Sequence, residues 1–479
     1  MKNQVQLCTY IDRLSSGGIT ALAALLNGAL QGVFGGVHLL PFYTPIDGAD
    51  AGFDPSDHTK VDARLGDWQD LKSLTASFDV MADVIVNHIS SSSPQFIDFM
   101  EKGEKSAFTG MFLTHESVFP HGAKQQDLLA IYRPRPGLPF QVVTLKTGER
   151  KVLWSTFTSQ QIDIDVAAPK SRAYLEQILT TLSENGVNIV RLDAVGYAIK
   201  KAGTNCFMLP ETIAFARDFA ASARARKLEV LVEIHSHYLM QIEIAKQVGW
   251  VYDFALPPLV LHALSFGNAQ YLKHWISIRP HNAITVLDTH DGIGVIDIGA
   301  DERTGAAGLV PPQELSDLVD RIHANSGGSS KRATGDAASN LDLYQVNCTY
   351  YDALGRDDAA YLIARAIQFF VPGVPQVYYV GLLAGHNDVA LLEATGVGRD
   401  INRQYFTTET LNAALQKPAV QKLIALIRFR NTHPAFSGTM TLLESAVTTL
   451  KIRWECGEHF ALLEVDLSAM THRIAHSSF

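Results

Sequence analysis

NIVRLDAVGY at residues 188–197, EVLVEIH at 229–235 and TVLDTHDG at 285–292 share one design, an apolar run of strand length ending in an acid: Asp193, Glu233 and Asp291. Runs of Val, Ile and Leu without strict alternation suit parallel strands covered on both faces. An acid at the carboxyl end of such a strand is costly unless it has partners or a task. Similar runs lie at 5–10, 33–40, 79–88, 250–256 and 374–380; with 186–195, 228–235 and 283–291 around the three acids they number eight. Helical stretches separate them, so the expected fold class is α/β, a closed (β/α)₈ TIM barrel.

The spacing of these runs is uneven. About 75 residues, 89–165, part the third run from the fourth, far more than an ordinary βα loop, and predict an inserted subdomain. A second insert is expected at 292–354, with the Gly/Ser-rich stretch GGSSKRATGDAASN (327–340) inside it. Residues 1–88, 166–291 and 355–435 then form the barrel, closed by a helix near 410–432. The alternating runs after 436 read as a small antiparallel β module over 436–479.

Composition removes several classes of function. A formal net charge of −9 leaves no basic stripe for nucleic acid or an acidic membrane. No run approaches the length of a membrane span, and MKNQVQLCTYIDR enters strand-like sequence without a signal-peptide core, so a cytoplasmic protein is expected. Cys8, Cys206, Cys348 and Cys456 are far apart and read as packed thiols rather than a zinc or redox motif. A P-loop is absent, and DGIGVIDIG lacks the third glycine of a dinucleotide fingerprint, so no nucleotide cofactor is expected.

On a strand, side chains two apart share a face, so Arg191 and Asp193 should pair at the barrel mouth. A fixed cation there would lower the Asp193 pKa and keep the group ionised as a nucleophile. Glu233 ends the next strand, which places two carboxyl groups about 5 Å apart, the separation of retaining glycoside chemistry. An ionised Asp193 would raise the Glu233 pKa and suit it to general acid/base work. Each acid alone reads equally well as a structural ion pair or a loop cap; three at one barrel mouth are harder to explain so. His88, His235 and His290 fall on the same face as neutral donors or, in the competing view, metal ligands. No histidine pair has metal-binding helical spacing, so no metal is expected.

The stretches DVIVNH, QIDID, RLDAVGY, EIH and DTHDG resemble, in order, the conserved regions of the α-amylase clan of retaining glycoside enzymes. The chain is more closely similar to the sucrose phosphorylase family within it, glycoside hydrolase family 13. That similarity rests on DGADAGFDPSDHTKVD (47–62), IYRPRPGLPF (131–140), YDFALPPL (252–259), HNAITVLDTHDGIGVIDIG (281–299), AASNLDLYQVN (337–347), PGVPQVYYVG (372–381) and GRDINR (398–403). The resemblance implies Asp193 as nucleophile, Glu233 as general acid/base and Asp291 as transition-state stabiliser. It implies a glucosyl pocket of Asp50, Arg399 and Phe53, with His88, Arg191 and His290 as a polar wall and Phe157 and Tyr197 lining the donor site. Tyr132 and Arg135 on one loop and Asp342, Tyr344 and Gln345 on another would serve the acceptor. Fructose would meet Asp342 and Gln345; phosphate would meet Arg135, Tyr344 and His235. Arginine suits phosphate because its planar fork donates two parallel hydrogen bonds. The tail after 436 is shorter than the family pattern.

The activity so implied is reversible phosphorolysis of sucrose to α-glucose 1-phosphate and fructose, with retention, without a cofactor and from a homodimer. A phosphorylase for sucrose 6′-phosphate, glucosylglycerol or glucosylglycerate would keep the donor residues and differ in the acceptor loops. A sucrose hydrolase or transglucosidase would run without phosphate, and a noncatalytic sugar-binding barrel would not need the three acids.

Overall fold

A computed structural model of the chain describes residues 1–48, 50–134, 137–301, 303–334 and 345–478. Eight parallel strands close the barrel: β1 (Gln6–Thr9), β2 (Gly36–Leu39), β3 (Asp79–Ile85), β4 (Ile189–Asp193), β5 (Glu229–Val232), β6 (Trp250–Asp253), β7 (Ala283–Thr285) and β8 (Val374–Tyr378). Each lies within one of the eight runs, and each pairs with its neighbours in sequence, β8 returning to β1. Strand periodicity divides β4 between two cores. Val190 and Leu192 join the apolar layer shared with the outer helices. Ile189 packs inside the barrel with Met81, Leu231, Tyr252, Ile284 and Val374. Arg191 and Asp193, next along that inward face, lie above this apolar floor.

The crossover helices follow local signals. Proline opens Pro169–Glu184 and Pro210–Ala225, where a first-turn N–H has no partner to lose. Asp67 caps Trp68–Thr75 through a capping box with Asp70. Near 410–432 the expected single helix is two, Thr408–Leu415 and Pro418–Thr432. Pro418 has no N–H for a preceding turn and restarts the helix instead.

Between β3 and β4 the chain forms two antiparallel pairs, His88–Ser90 with Gln161–Asp163 and Phe140–Thr144 with Arg150–Trp154. His88 therefore does not end the third barrel strand as expected; β3 stops at Ile85 and His88 starts a separate ladder. Between β7 and β8 lie helices Pro312–Asn325 and Ser329–Thr334 and a short pair, Ile293–Gly294 with Gln345–Val346. The last strands, β9 (Thr439–Leu442), β10 (Thr449–Cys456), β11 (His459–Asp466) and β12 (Thr471–His476), form an antiparallel sheet. Leu450, Ile452 and Trp454 alternate inward on β10, and the Trp454 indole N–H donates to the Phe370 carbonyl at 2.7 Å, docking the sheet on helix Asp358–Phe370. Among the described residues no helix is long and apolar enough to cross a membrane.

Candidate active site

Asp193 is the last residue of β4, and Glu233 follows directly on β5. Between these strand ends Ala194 takes a left-handed conformation (φ 55°), turning the chain so that its N–H donates to Glu233 Oε2 at 3.3 Å. Arg191 Nη1 reaches Asp83 Oδ1 at 2.5 Å and Asp193 Oδ1 at 2.7 Å, and Nη2 lies 3.9 Å from Glu233 Oε1. The guanidinium is thus divided among three carboxyl groups. Burial works against a charged Asp83, but Arg191 and His38 outweigh it and hold the carboxyl at about 2. The outcome for Asp193 corrects the expected lowering. Burial pushes its pKa well up, Arg191 opposes, and Glu233, Asp83 and Asp291 add to the rise.

Asp291 lies beyond β7 on a loop rather than at a strand end. Side chains of the 398–403 turn hold that loop's carbonyls in place of a strand partner. Asn402 Nδ2 donates to Thr289 O at 2.8 Å and Arg403 Nε to His290 O at 2.9 Å. The Asp291 carboxylate pairs with Arg399 Nη1 at 2.7 Å and lies 3.8 Å from Arg403 Nη2. Burial disfavours its charge, yet Arg399, His290, Arg403 and His235 hold it far below the usual carboxylate range. Arg403 Nη1 also lies 3.8 Å from Asp50. Gln345 Oε1 meets Arg399 Nη2 at 3.5 Å and accepts from the Gly292 N–H at 3.3 Å.

The histidines differ in state. His290 stacks on Phe53 with ring centres 4.8 Å apart, and burial pushes its pKa down to about 3. His88 is likewise lowered by burial; its Nε2 lies 3.0 Å from Phe53 O and 3.0 Å from Gln161 Nε2. His235 goes the other way. Burial opposes its protonation, but Asp297, 2.9 Å from Nδ1, more than compensates and raises the pKa. Asp297 is fixed in turn by the Ser236 N–H and by Gln241 Nε2 at 2.8 Å. The polar ends of Glu233, His235 and Asp291 lie within 4.8 Å of one another.

A pocket enclosing about 670 Å³ of space, its open mouth included, lies above these groups. It is lined by Asp50, Phe53, His88, Phe157, Asp193, Tyr197, Glu233, His235, His290, Asp291 and Arg399. Arg191 braces its floor. Tyr132 stands at the rim, its ring 4.4 Å from Phe207 and 6.1 Å from Tyr197, and its N–H bonded to Asn205 O. Arg135, Asp342 and Tyr344, expected on the acceptor side, lie outside the described residues. Gln161, Pro134 and Phe207 also line the pocket and were not singled out from the sequence. Gln161 stands in QIDID and Pro134 in IYRPRPG, but a polar side chain or a proline in a quoted motif carries no sign of where it points. Phe207 had no signal beyond being aromatic. Asp83, Arg403 and Asp297 were missed because they act on pocket residues rather than on its contents.

The family described as alpha amylase, catalytic domain, matches residues 32–249. The chain is 60% identical over 468 residues to a sucrose phosphorylase from Agrobacterium vitis, across 98% of this chain and 96% of that one. It belongs to the sucrose phosphorylase family of the α-amylase clan. A second sucrose phosphorylase, from Bifidobacterium adolescentis, is 54% identical over 455 residues, covering 95% of this chain and 90% of its own length. Among solved structures, sucrose 6F-phosphate phosphorylase from Thermoanaerobacter thermosaccharolyticum superposes with a TM-score of 0.93 at 37% identity, over all of this chain and 96% of the other. Membership of the sucrose phosphorylase family agrees with a barrel whose mouth gathers Asp193, Glu233 and Asp291.

Proposed function

We propose that the chain is a sucrose phosphorylase, converting sucrose and phosphate reversibly to α-D-glucose 1-phosphate and D-fructose. The observation that carries this is the trio Asp193, Glu233 and Asp291 around one pocket, in a chain 60% identical to a sucrose phosphorylase. In the first step Asp193 attacks C1 of the glucosyl unit from the face opposite fructose. The C1–O bond breaks, and protonated Glu233 gives its proton to the departing fructosyl oxygen. A β-glucosyl ester on Asp193 results. A phosphate oxygen then attacks C1, passes its proton to Glu233 and releases Asp193, so two inversions give retention. Asp291, held ionised by Arg399, stabilises the positive charge that grows on the ring in both transition states.

Asp50 and Arg399 take distal hydroxyls of the glucosyl unit, and Phe53 offers it an apolar face. His88 and His290, neutral through burial, act as hydrogen-bonding groups rather than charges. His235, with its raised pKa, supplies a cation for phosphate, together with Arg135 and Tyr344. Asp342 and Gln345 receive fructose. The steps require no cofactor or metal. Two copies act as a homodimer, which light scattering would test. A cytoplasmic location accords with four free cysteines.

Incubation with sucrose and phosphate should release glucose 1-phosphate and fructose in equal amounts. Free glucose as the main product, or turnover that is indifferent to phosphate, overturns the reading in favour of a hydrolase. Initial rates on sucrose 6′-phosphate, glucosylglycerol and glucosylglycerate should be lower than on sucrose.

A further inference from the structure

Beneath the pocket floor runs a line of polar groups that no step above uses. Cys8 on β1, His38 on β2, Asp83 on β3 and Arg191 on β4 occupy four consecutive barrel strands, with Cys8 in register with His38 and Arg191 with Asp83. All four are buried, His38 and Asp83 completely. Cys8 Sγ lies 3.5 Å from His38 Nδ1, and His38 Nε2 lies 3.1 Å from Asp83 Oδ2. The other carboxyl oxygen of Asp83 takes Arg191, whose Nη1 also holds Asp193. The hydrogen bonds dictate the proton positions. Asp83 accepts on both oxygens, so His38 carries a proton on Nε2, with Nδ1 facing the Cys8 sulfur.

A polar layer inside a barrel core requires full pairing, because an unpaired carboxylate there is heavily penalised. His38 supplies what Arg191 alone cannot. Without the Nε2–H, Asp83 would draw harder on the guanidinium, and Asp193 would be left with less of it. We propose that His38 is a positioning residue for the nucleophile, setting through Asp83 how the Arg191 charge is divided between Asp83 and Asp193. The proposal rests on Asp193 being the nucleophile.

The charged surroundings are those already named. Asp193 faces Arg191, Glu233, Asp83 and Asp291. Asp83 faces Arg191 and His38, with His290 beyond. Two substitutions should act with opposite signs. His38→Asn keeps a polar atom near Cys8 but loses the Asp83 bond, so the acid limb of the pH–rate profile should move up by about half to one pH unit. Asp83→Asn removes the competing carboxylate, so the limb should move down by a similar amount. His38→Gln, whose amide nitrogen reaches the Nε2 position, should restore the wild-type limb.

The reaction to follow is fluoride release from α-D-glucosyl fluoride, measured as kcat/KM from pH 4 to 8. Fluoride departs without a protonated acid and phosphate is not needed, so the limb reports ionisation of the attacking carboxylate. Loss of sucrose phosphorolysis with retained fluoride release would sink the sucrose reading and leave this inference under test. Opposite shifts for His38→Asn and Asp83→Asn, with rescue by His38→Gln, support the proposal. Shifts of the same sign, or limbs within 0.2 pH unit of wild type, overturn it. Should one of the pair fail to fold, the sign of the other decides.

Discussion

Arg191 is one cation with three carboxylates within 3.9 Å, and that ratio governs the chemistry of the site. A guanidinium belonging to Asp193 alone would leave a weak, fully ionised nucleophile. Burial pushes the Asp193 pKa up, and sharing the guanidinium limits how far Arg191 can pull it back, which makes the carboxylate a better nucleophile once ionised. Asp193→Asn should lower kcat for sucrose phosphorolysis by about 10⁴-fold or more, with an unchanged circular dichroism spectrum; activity within tenfold of wild type would remove the covalent mechanism. At His235 the sign is equally definite. Its pKa is raised, so it is charged below that value and loses its charge as pH climbs through it. Asp297→Asn removes the carboxylate responsible, and KM for phosphate at neutral pH should rise about tenfold while KM for sucrose stays near wild type. Steady-state kinetics with phosphate varied would expose an unchanged KM.

At the scale of elements, the segment between β3 and β4 is tied to the barrel mouth by one buried ammonium. Lys200 Nζ lies 2.8 Å from Asp163 Oδ2 and 2.7 Å from Asn87 Oδ1, and also donates to the Tyr197 carbonyl. These three oxygens come from segments that carry His88, Gln161 and Tyr197 into the pocket. Removing the ammonium leaves the buried Asp163 carboxylate without its cation, held among the described residues only by the N–H and hydroxyl of Thr156. Lys200→Met should destabilise the protein by about 3–5 kcal/mol and raise KM for sucrose; urea unfolding with a midpoint equal to wild type would contradict this. The strands themselves were legible because parallel strands covered on both faces read as unbroken apolar runs. Their ends were not. DVMADVIVNH runs on in composition past Ile85, yet Asn87 and His88 turn to Lys200 and to the Gln161–Asp163 strand. Likewise TVLDTHDG leaves β7 at Thr285, because the 398–403 turn captures the carbonyls of Thr289 and His290. Those partners are more than a hundred residues away in sequence.

For the whole molecule, buried neutral histidines set the response to acid. Burial pushes the pKa values of His58 and His290 from 6.5 to about 3. As pH falls through 6.5 the unfolded chain takes up both protons, and the folded one does not until about 3. The unfolded state therefore binds more protons across this window, and stability falls with pH at about 1.4 kcal/mol per unit for each histidine. His235 contributes a constant amount there, since the stability from a raised pKa is lost only above 6.5. His88, also lowered by burial, offsets the opposite contribution of Asp193, whose raised pKa lets the folded state bind a proton first. Asp83, held at about 2, adds stability that fades only as pH drops below the ordinary aspartate value. Urea midpoints at pH 7, 6, 5 and 4 should decline steadily; a flat series would contradict the assignment.

The sequence by itself determined the succession of eight strands and their helices, the three acids at the mouth, and the family to which their neighbours belong. These follow from local facts: the period of apolar residues, the chemistry of side chains and the order of motifs. The state of those acids was decided only by tertiary structure. Whether Arg191 serves Asp193 alone, whether Asp291 keeps its charge and whether His235 carries one depend on Asp83, Arg399 and Asp297. Those residues approach from other strands and loops, and electrostatic energy depends on distance and burial in space rather than on separation along the chain.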